Sequence, residues 1–319
     1  MKPYLRLFSR AVDVTAEIRQ RTLQGRHLLC PDPAFNRRVV GLVAKAQQLY
    51  RVRIHAFVVM SNQFYLLATF DDAEQMARFC CHLFTNLSKL AGHFHDWPST
   101  VFPERYHHVE LARDLQTELR RLKCLLAQGC KENLVGSPLD WPGASSTRAL
   151  VDGEPLHGEW VDGTGRAKAL SRGLDAAEDF TELVEVELSP LPALAHLSAE
   201  QYRRIVRGLT REVEEETRAR HRVDGTAPLG VAAILARHPH DRPSSMRRSV
   251  RPWFFALDPV QRQAMITAVS WCIAQYREAA EQLKQKVKSG DDPRTVQFPA
   301  GTFPPGLPFV RVAPPPSPG

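Results

Sequence analysis

The stretch from Arg53 to Phe70 constrains the fold most. Two runs rich in β-branched, aromatic and aliphatic residues, Arg53–Met60 and Gln63–Phe70, flank the pair Ser61-Asn62. Short apolar runs broken by a tight-turn signal predict two strands joined as a hairpin.

Around this hairpin the periodicity changes. A strand is expected around Thr15–Thr22, followed by Gly25 and the break Pro31-Asp-Pro33. Phe35, Val39, Leu42, Val43, Ala46 and Leu49 then recur at helical spacing. After the hairpin, Asp71 and Asp72 can cap a helix whose apolar face holds Met76, Phe79, Cys80, Leu83, Phe84, Leu87 and Leu90. A short strand is expected at Arg105–Leu111. Asp114 then opens a helix with Leu115, Leu119, Leu122, Leu125 and Leu126 inward. This order suits an α+β fold: a ferredoxin-like antiparallel sheet with helices on one face.

The rest of the chain reads as three further segments. An irregular stretch starts at Trp141-Pro-Gly-Ala-Ser-Ser146, and the glycine-rich residues 151–195 are expected to form a linker with little core of its own. Residues 196–290 form a mostly helical region, and residues 291–319 a Pro-rich tail. In the helical region Ser198 and Gln201 fit a capping box, ahead of the stripe Tyr202, Val206, Leu209 and Val213. A shorter helix is expected at about Gly230–Arg237. Asp258-Pro259 opens a long helix carrying Met265, Val269, Cys272, Tyr276 and Leu283.

Charge points to a class of partner. The net charge is +7, and residues 1–150 hold 20 Lys/Arg against 13 Asp/Glu, while residues 151–319 hold 22 of each. The basic excess therefore sits in the first half, which attracts polyanions, nucleic acid first among them. No run of 18 apolar residues suggests a membrane span, and the first ten residues are too interrupted for a secretory signal. Cys30, Cys80, Cys81, Cys124, Cys130 and Cys272 include no C-x-x-C pair, so neither a zinc knuckle nor a disulfide framework is indicated. A reduced, cytoplasmic setting is the plain expectation.

Several segments together resemble one family. They are Phe57-Val-Val-Met-Ser-Asn-Gln-Phe-Tyr-Leu-Leu67, Arg21-Thr-Leu-Gln-Gly-Arg-His-Leu-Leu29, Phe102-Pro-Glu-Arg-Tyr-His107, Leu122-Lys-Cys-Leu-Leu-Ala-Gln-Gly-Cys-Lys-Glu-Asn-Leu-Val135 and Trp141-Pro-Gly-Ala-Ser-Ser146. In this order they resemble the single-tyrosine HUH transposases, including the REP-associated tyrosine transposases, over about residues 10–150. The resemblance implies a DNA partner, single-stranded or hairpin, and a homodimer. It implies two hairpin histidines at i and i+2 holding a divalent metal, Mg or Mn, that polarises the scissile phosphate. A helix-borne tyrosine would then attack and become linked to the 5′ phosphate. This chain departs at each of those places. Gln63 and Tyr65 occupy the histidine positions, and Cys124 the nucleophile position. A glutamine and a protonated phenol are poor substitutes for imidazoles, so no metal ligand set and no catalytic residue stands out.

Other residues offer themselves for chemistry. His93-Phe94-His95 lies at a helix end, where i and i+2 point about 200° apart. His107 and His108 share a strand and face opposite sides, with His107 toward the hairpin site. Tyr106 has no base near it in sequence and suits packing or base stacking. Phosphate contacts are expected from Arg21, Arg26, Arg105, His107, Arg120 and Lys123, with Arg19, Arg37, Arg38, Arg51, Arg53 and Arg121 as further basic residues. Arg247, Arg248 and Arg251 belong to a second cluster that begins at Arg237 and ends in Trp253-Phe254-Phe255, a pattern suited to single-strand binding by charge and stacking. Three functions follow: a transposase-derived DNA-binding protein with lost or impaired nicking and strand transfer, an active transposase with a rearranged site, or a protein-interaction module built on the second half.

Overall fold

The computed structural model describes residues 13–172, 180–243, 252–299, 302 and 304–305. The chain runs β1 (Val14–Arg21), α1 (Pro33–Tyr50), β2 (Arg53–Met60), β3 (Gln63–Phe70), α2 (Ala73–Phe94), β4 (His107–Leu111) and α3 (Leu115–Leu126). It continues through α4 (Gln128–Lys131), α5 (Thr147–Asp152), β5 (Leu156–Val161), α6 (Gly163–Ser171), β6 (Thr181–Val186), α7 (Ala199–Asp224), α8 (Val231–Leu235), β7 (Phe254–Phe255) and α9 (Pro259–Ser289). The first seven elements keep the order expected from the sequence. Local signals explain their starts. Asp32 accepts the N–H groups of Ala34 and Phe35 ahead of α1, Asp114 accepts that of Thr117, and Ser198 with Gln201 closes a full capping box on α7.

The main sheet has the order β2-β3-β1-β4-β7. Its first four strands pair antiparallel, and β7 joins β4 in parallel, so the sheet is mixed. Strand alternation sorts the side chains. Ile18, Phe57, Phe64, Leu66 and Phe70 face α1 and α2, where the Phe64 ring stacks on Phe57 at 6.2 Å and meets Phe84 edge-on at 5.5 Å. Ala56, Val58, Met60, Tyr65 and Leu67 face the other way, onto α3, α4, α5 and α7. Helices α1 and α2 lie on one face as expected, whereas α3, with α4, α5 and α7, covers the opposite face, because both faces of the hairpin are apolar. The hairpin is apolar at nearly every position, so each face needs a cover.

Residues 151–195 differ from the irregular linker expected. They carry the β5–β6 hairpin, which packs along α1 and contributes Val184 and Val186 to the core. Two glycines make this possible. A Cβ on Gly41 would lie 2.1 Å from the Glu159 carbonyl oxygen, and one on Gly158 would lie 2.2 Å from the Gly41 nitrogen. Helix and strand backbones therefore touch, and Arg37 clips the contact by donating to Glu159 at 2.8 Å. Residues that read as flexible punctuation serve close packing.

Trp141-Pro-Gly-Ala-Ser-Ser146 seals the exposed edge of β2. Val59 donates to the Ala144 carbonyl at 2.8 Å, Ser146 donates to the Phe57 carbonyl at 3.0 Å, and the Trp141 indole donates to the Val59 carbonyl at 3.0 Å. An unsealed edge would invite pairing with another chain. Arg247, Arg248, Arg251 and most of the Pro-rich tail lie outside the described residues. Among the described residues no helix is long and apolar enough to cross a membrane.

A bulge in β2 buries His55 inside a polar chain. Its Nδ1 lies 3.0 Å from the Ser189 carbonyl, which only accepts, so Nδ1 carries the proton. Nε2 then accepts from the Thr69 hydroxyl at 2.7 Å, and Thr69 accepts from Thr15 at 2.8 Å. Burial pushes the His55 pKa down to about 4 from 6.5, against a smaller opposing pull from the Ser189 carbonyl. A depressed histidine favours the fold while it is neutral. Its contribution is complete above pH 6.5 and is lost as pH falls toward 4, at a cost of about 3 kcal/mol.

Two outcomes are expected. Gly41→Ala should undock the β5–β6 hairpin, cost about 1–3 kcal/mol and expose residues 151–195 to limited proteolysis; a protease-resistant variant contradicts the close-approach argument. Denaturant midpoints should fall between pH 6.5 and 4, and His55→Gln should flatten that slope; identical slopes would remove His55 as the cause.

Candidate nucleic-acid interface

Alternation along β1 sends Glu17, Arg19 and Arg21 to the same face as Gln63 and Tyr65 of β3. Register sets Arg19 opposite Tyr65, Arg21 opposite Gln63, and His107 of β4 opposite Arg19. Helix α3 crosses this face and brings Arg121 and Cys124 to it. At the centre is Glu17, only 2% exposed. It accepts from the Nε of Arg19 on one oxygen, and on the other from Arg121 through Nε at 2.7 Å and through a terminal nitrogen. Each guanidinium also rests on an aromatic ring: Arg19 lies 5.6 Å from the Tyr65 centroid and Arg121 4.9 Å from that of Phe255. Burial works against the Arg19 charge. The Glu17 carboxylate outweighs it and holds the Arg19 pKa raised, with smaller help from Tyr65 and Cys124.

The structure thus gathers the three positions singled out by the resemblance. The Tyr65 hydroxyl donates to the Gln63 side-chain oxygen. Cys124 is half-buried within electrostatic reach of Arg19, and its carbonyl accepts from Gln128 at 2.9 Å. Burial pushes the Tyr65 phenol up to about 12, against the lowering effect of Arg19.

These residues do not fit the divalent metal that the sequence resemblance implies. The phenol keeps its proton far above neutral pH, and the one neutral oxygen of Gln63 already accepts that proton. Both hard-metal donors are therefore committed to each other. Among the described residues no group of three or more His, Cys, Asp and Glu is placed to hold a metal ion.

The remaining basic residues divide. Arg21 and His107 are half-buried on the Tyr65 face, Arg120 is exposed on α3 beside Arg121, and Arg105 is exposed just before β4. Lys123 departs from the expected phosphate contact. Its ammonium sits between Glu212 at 2.7 Å and Glu216 at 2.8 Å, which fastens α3 to α7 and uses up its charge. Arg26 serves another loop: it donates to the His240 carbonyl and lies 5.0 Å from the Trp97 ring centroid. With the His27 N–H on the Asp241 carbonyl at 3.2 Å, it ties the loop around 237–242 to the end of β1. His95 belongs to that clasp. Its carbonyl accepts from His240 at 2.8 Å, and its ring lies 3.9 Å from the Cys30 sulfur.

Sequence reasoning passed over Glu17. Its signal was available: one acid in a strand between the buried residues Ala16 and Ile18. An acid at such a position is retained only with a cationic partner.

No protein-family model matches the chain, and no curated protein does. Among solved structures, one is a REP-associated tyrosine transposase bound to a REP hairpin. It shares 14% identity over 48% of this chain and 86% of that one, with a TM-score of 0.38. Another, a candidate transposase from Deinococcus radiodurans R1, shares 9% identity over 37% of this chain and 93% of that one, with a TM-score of 0.28. No residue role passes from either to this chain at such values.

Replacing Gln63→His together with Tyr65→His puts two imidazoles on one strand face, where they should bind a divalent transition metal. Calorimetry with nickel or manganese is expected to show at least about tenfold tighter binding than the parent. Tight binding by the parent itself would mean that the face already holds a metal.

Proposed function

We propose that this chain is a DNA-binding protein derived from a single-tyrosine transposase, which holds single-stranded or hairpin DNA without cutting it. The observation that carries this reading is the Gln63–Tyr65 hydrogen bond beside Arg19. It occupies the place where the resemblance requires a metal-binding pair, and it leaves a protonated, buried phenol among guanidinium groups. Chemistry at phosphorus needs a charge sink and an activated nucleophile. Arg19, Arg21, Arg120 and Arg121 supply positive charge, but the hairpin offers no metal-binding pair and α3 carries Cys124, not a tyrosine, at the nucleophile position.

Phosphodiester binding needs only what remains. Arginines hold a phosphate backbone by charge, without strict geometry. A protein-interaction role finds support elsewhere, on the outer face of α9, where Val260 is 77% and Trp271 61% exposed. That face lies on a different element from the arginines and is compatible with DNA binding.

Fluorescence anisotropy with labelled hairpin and single-stranded oligonucleotides tests the proposal. Four phosphate contacts should weaken binding about fifty-fold on a single strand and about 150-fold on a hairpin stem between 50 and 200 mM salt. Absence of binding at low salt contradicts the DNA-binding claim. A covalent adduct on a denaturing gel after incubation with manganese contradicts the loss of cleavage.

A further inference from the structure

Glu17 is an expensive residue to keep on a face meant to attract phosphate. It subtracts a charge, and its burial carries a desolvation cost. A surface selected for positive potential alone would lack it, so the geometry of its bonds is informative. One oxygen takes Arg19 through Nε, and the other takes Arg121 side-on, through Nε and one terminal nitrogen. Among the described residues, both terminal nitrogens of Arg19 and one of Arg121 make no other hydrogen bond. The Arg19 side chain is 31% exposed and that of Arg121 12%, and none of these unpaired nitrogens is among the buried unpartnered atoms. The Tyr65 and Phe255 rings limit the tilt of each guanidinium.

We propose that Glu17 is a positioning residue that sets Arg19 and Arg121 as a fixed pair of donors for one phosphodiester group. The inference rests on the DNA-binding reading above. Holding both arginines by Nε orders them before the ligand arrives, so binding loses less side-chain entropy. The unpaired nitrogens suit the oxygens of a phosphate, which guanidinium groups bind with directional hydrogen bonds. Glu17 itself touches no ligand.

The test compares Glu17→Gln and Glu17→Asp with the parent, by anisotropy with the same hairpin and single-stranded oligonucleotides. Glu17→Gln raises the net charge by one, so potential alone predicts tighter binding. The proposal predicts at least about tenfold weaker binding and a salt slope reduced by about one phosphate. Glu17→Asp keeps the charge but is too short to span both arginines, and the same loss is expected. Melting temperature and near-UV circular dichroism report the fold. If both variants unfold, Arg121→Lys takes their place, because it keeps the charge and loses the fork; parent-like affinity in it overturns the proposal. Tighter or unchanged DNA affinity in folded Glu17 variants, even with a lowered melting temperature, also overturns it and leaves Glu17 a structural clasp. If the parent binds no DNA, the underlying reading falls with it; if the parent binds and the folded variants match it, only the positioning role falls.

Discussion

The β2–β3 hairpin is apolar on both faces, and each layer answers to that constraint. One face is closed by α1 and α2, the other by α3, α4, α5 and α7. Residues 144–146 then seal the outer edge of β2, and the β5–β6 hairpin lies against α1 where Gly41 and Gly158 let the backbones meet. Hydrophobic burial sets this layering because it is proportional to area and indifferent to direction. The polar chain through His55, Thr69 and Thr15 adds what burial cannot: a fixed bulge and a fixed register.

The candidate interface arises where the second cover meets a polar stripe. Alternation makes every other residue of β1 face α3, and Glu17, Arg19 and Arg21 occupy those positions. A buried carboxylate between two arginines is tolerable because the groups satisfy one another. The same bonds leave guanidinium nitrogens unpaired and not buried. Stability and binding thus draw on one cluster, which links the packing of α3 to the presentation of charge.

Periodicity was enough to read β1 to β4, α1, α2 and the caps at Asp114 and Ser198, since each depends on neighbours within a few residues. The β5–β6 hairpin was hidden because glycines at 158, 163 and 165 look alike whether they serve a turn or a close approach. What decides is a partner far along the chain, Gly41. Lys123 was legible as a charge but not as a spent one, because Glu212 and Glu216 lie on a helix that the sequence does not place. The hairpin positions Gln63 and Tyr65 were readable as departures from the resemblance. Their mutual hydrogen bond, and the role of Glu17 beneath the arginines, needed the fold.

The central claim is that DNA lies where the Arg19 and Arg121 guanidinium groups reach solvent between β1 and α3, held by charge and without a metal. Photocrosslinking with a bromouracil-substituted single strand, followed by peptide mapping, tests it most directly. Adducts should fall within β1, β3 and α3 and at Phe255, in the absence of divalent metal. Adducts confined to α7 or α9, or adducts that form only when manganese is added, would contradict it.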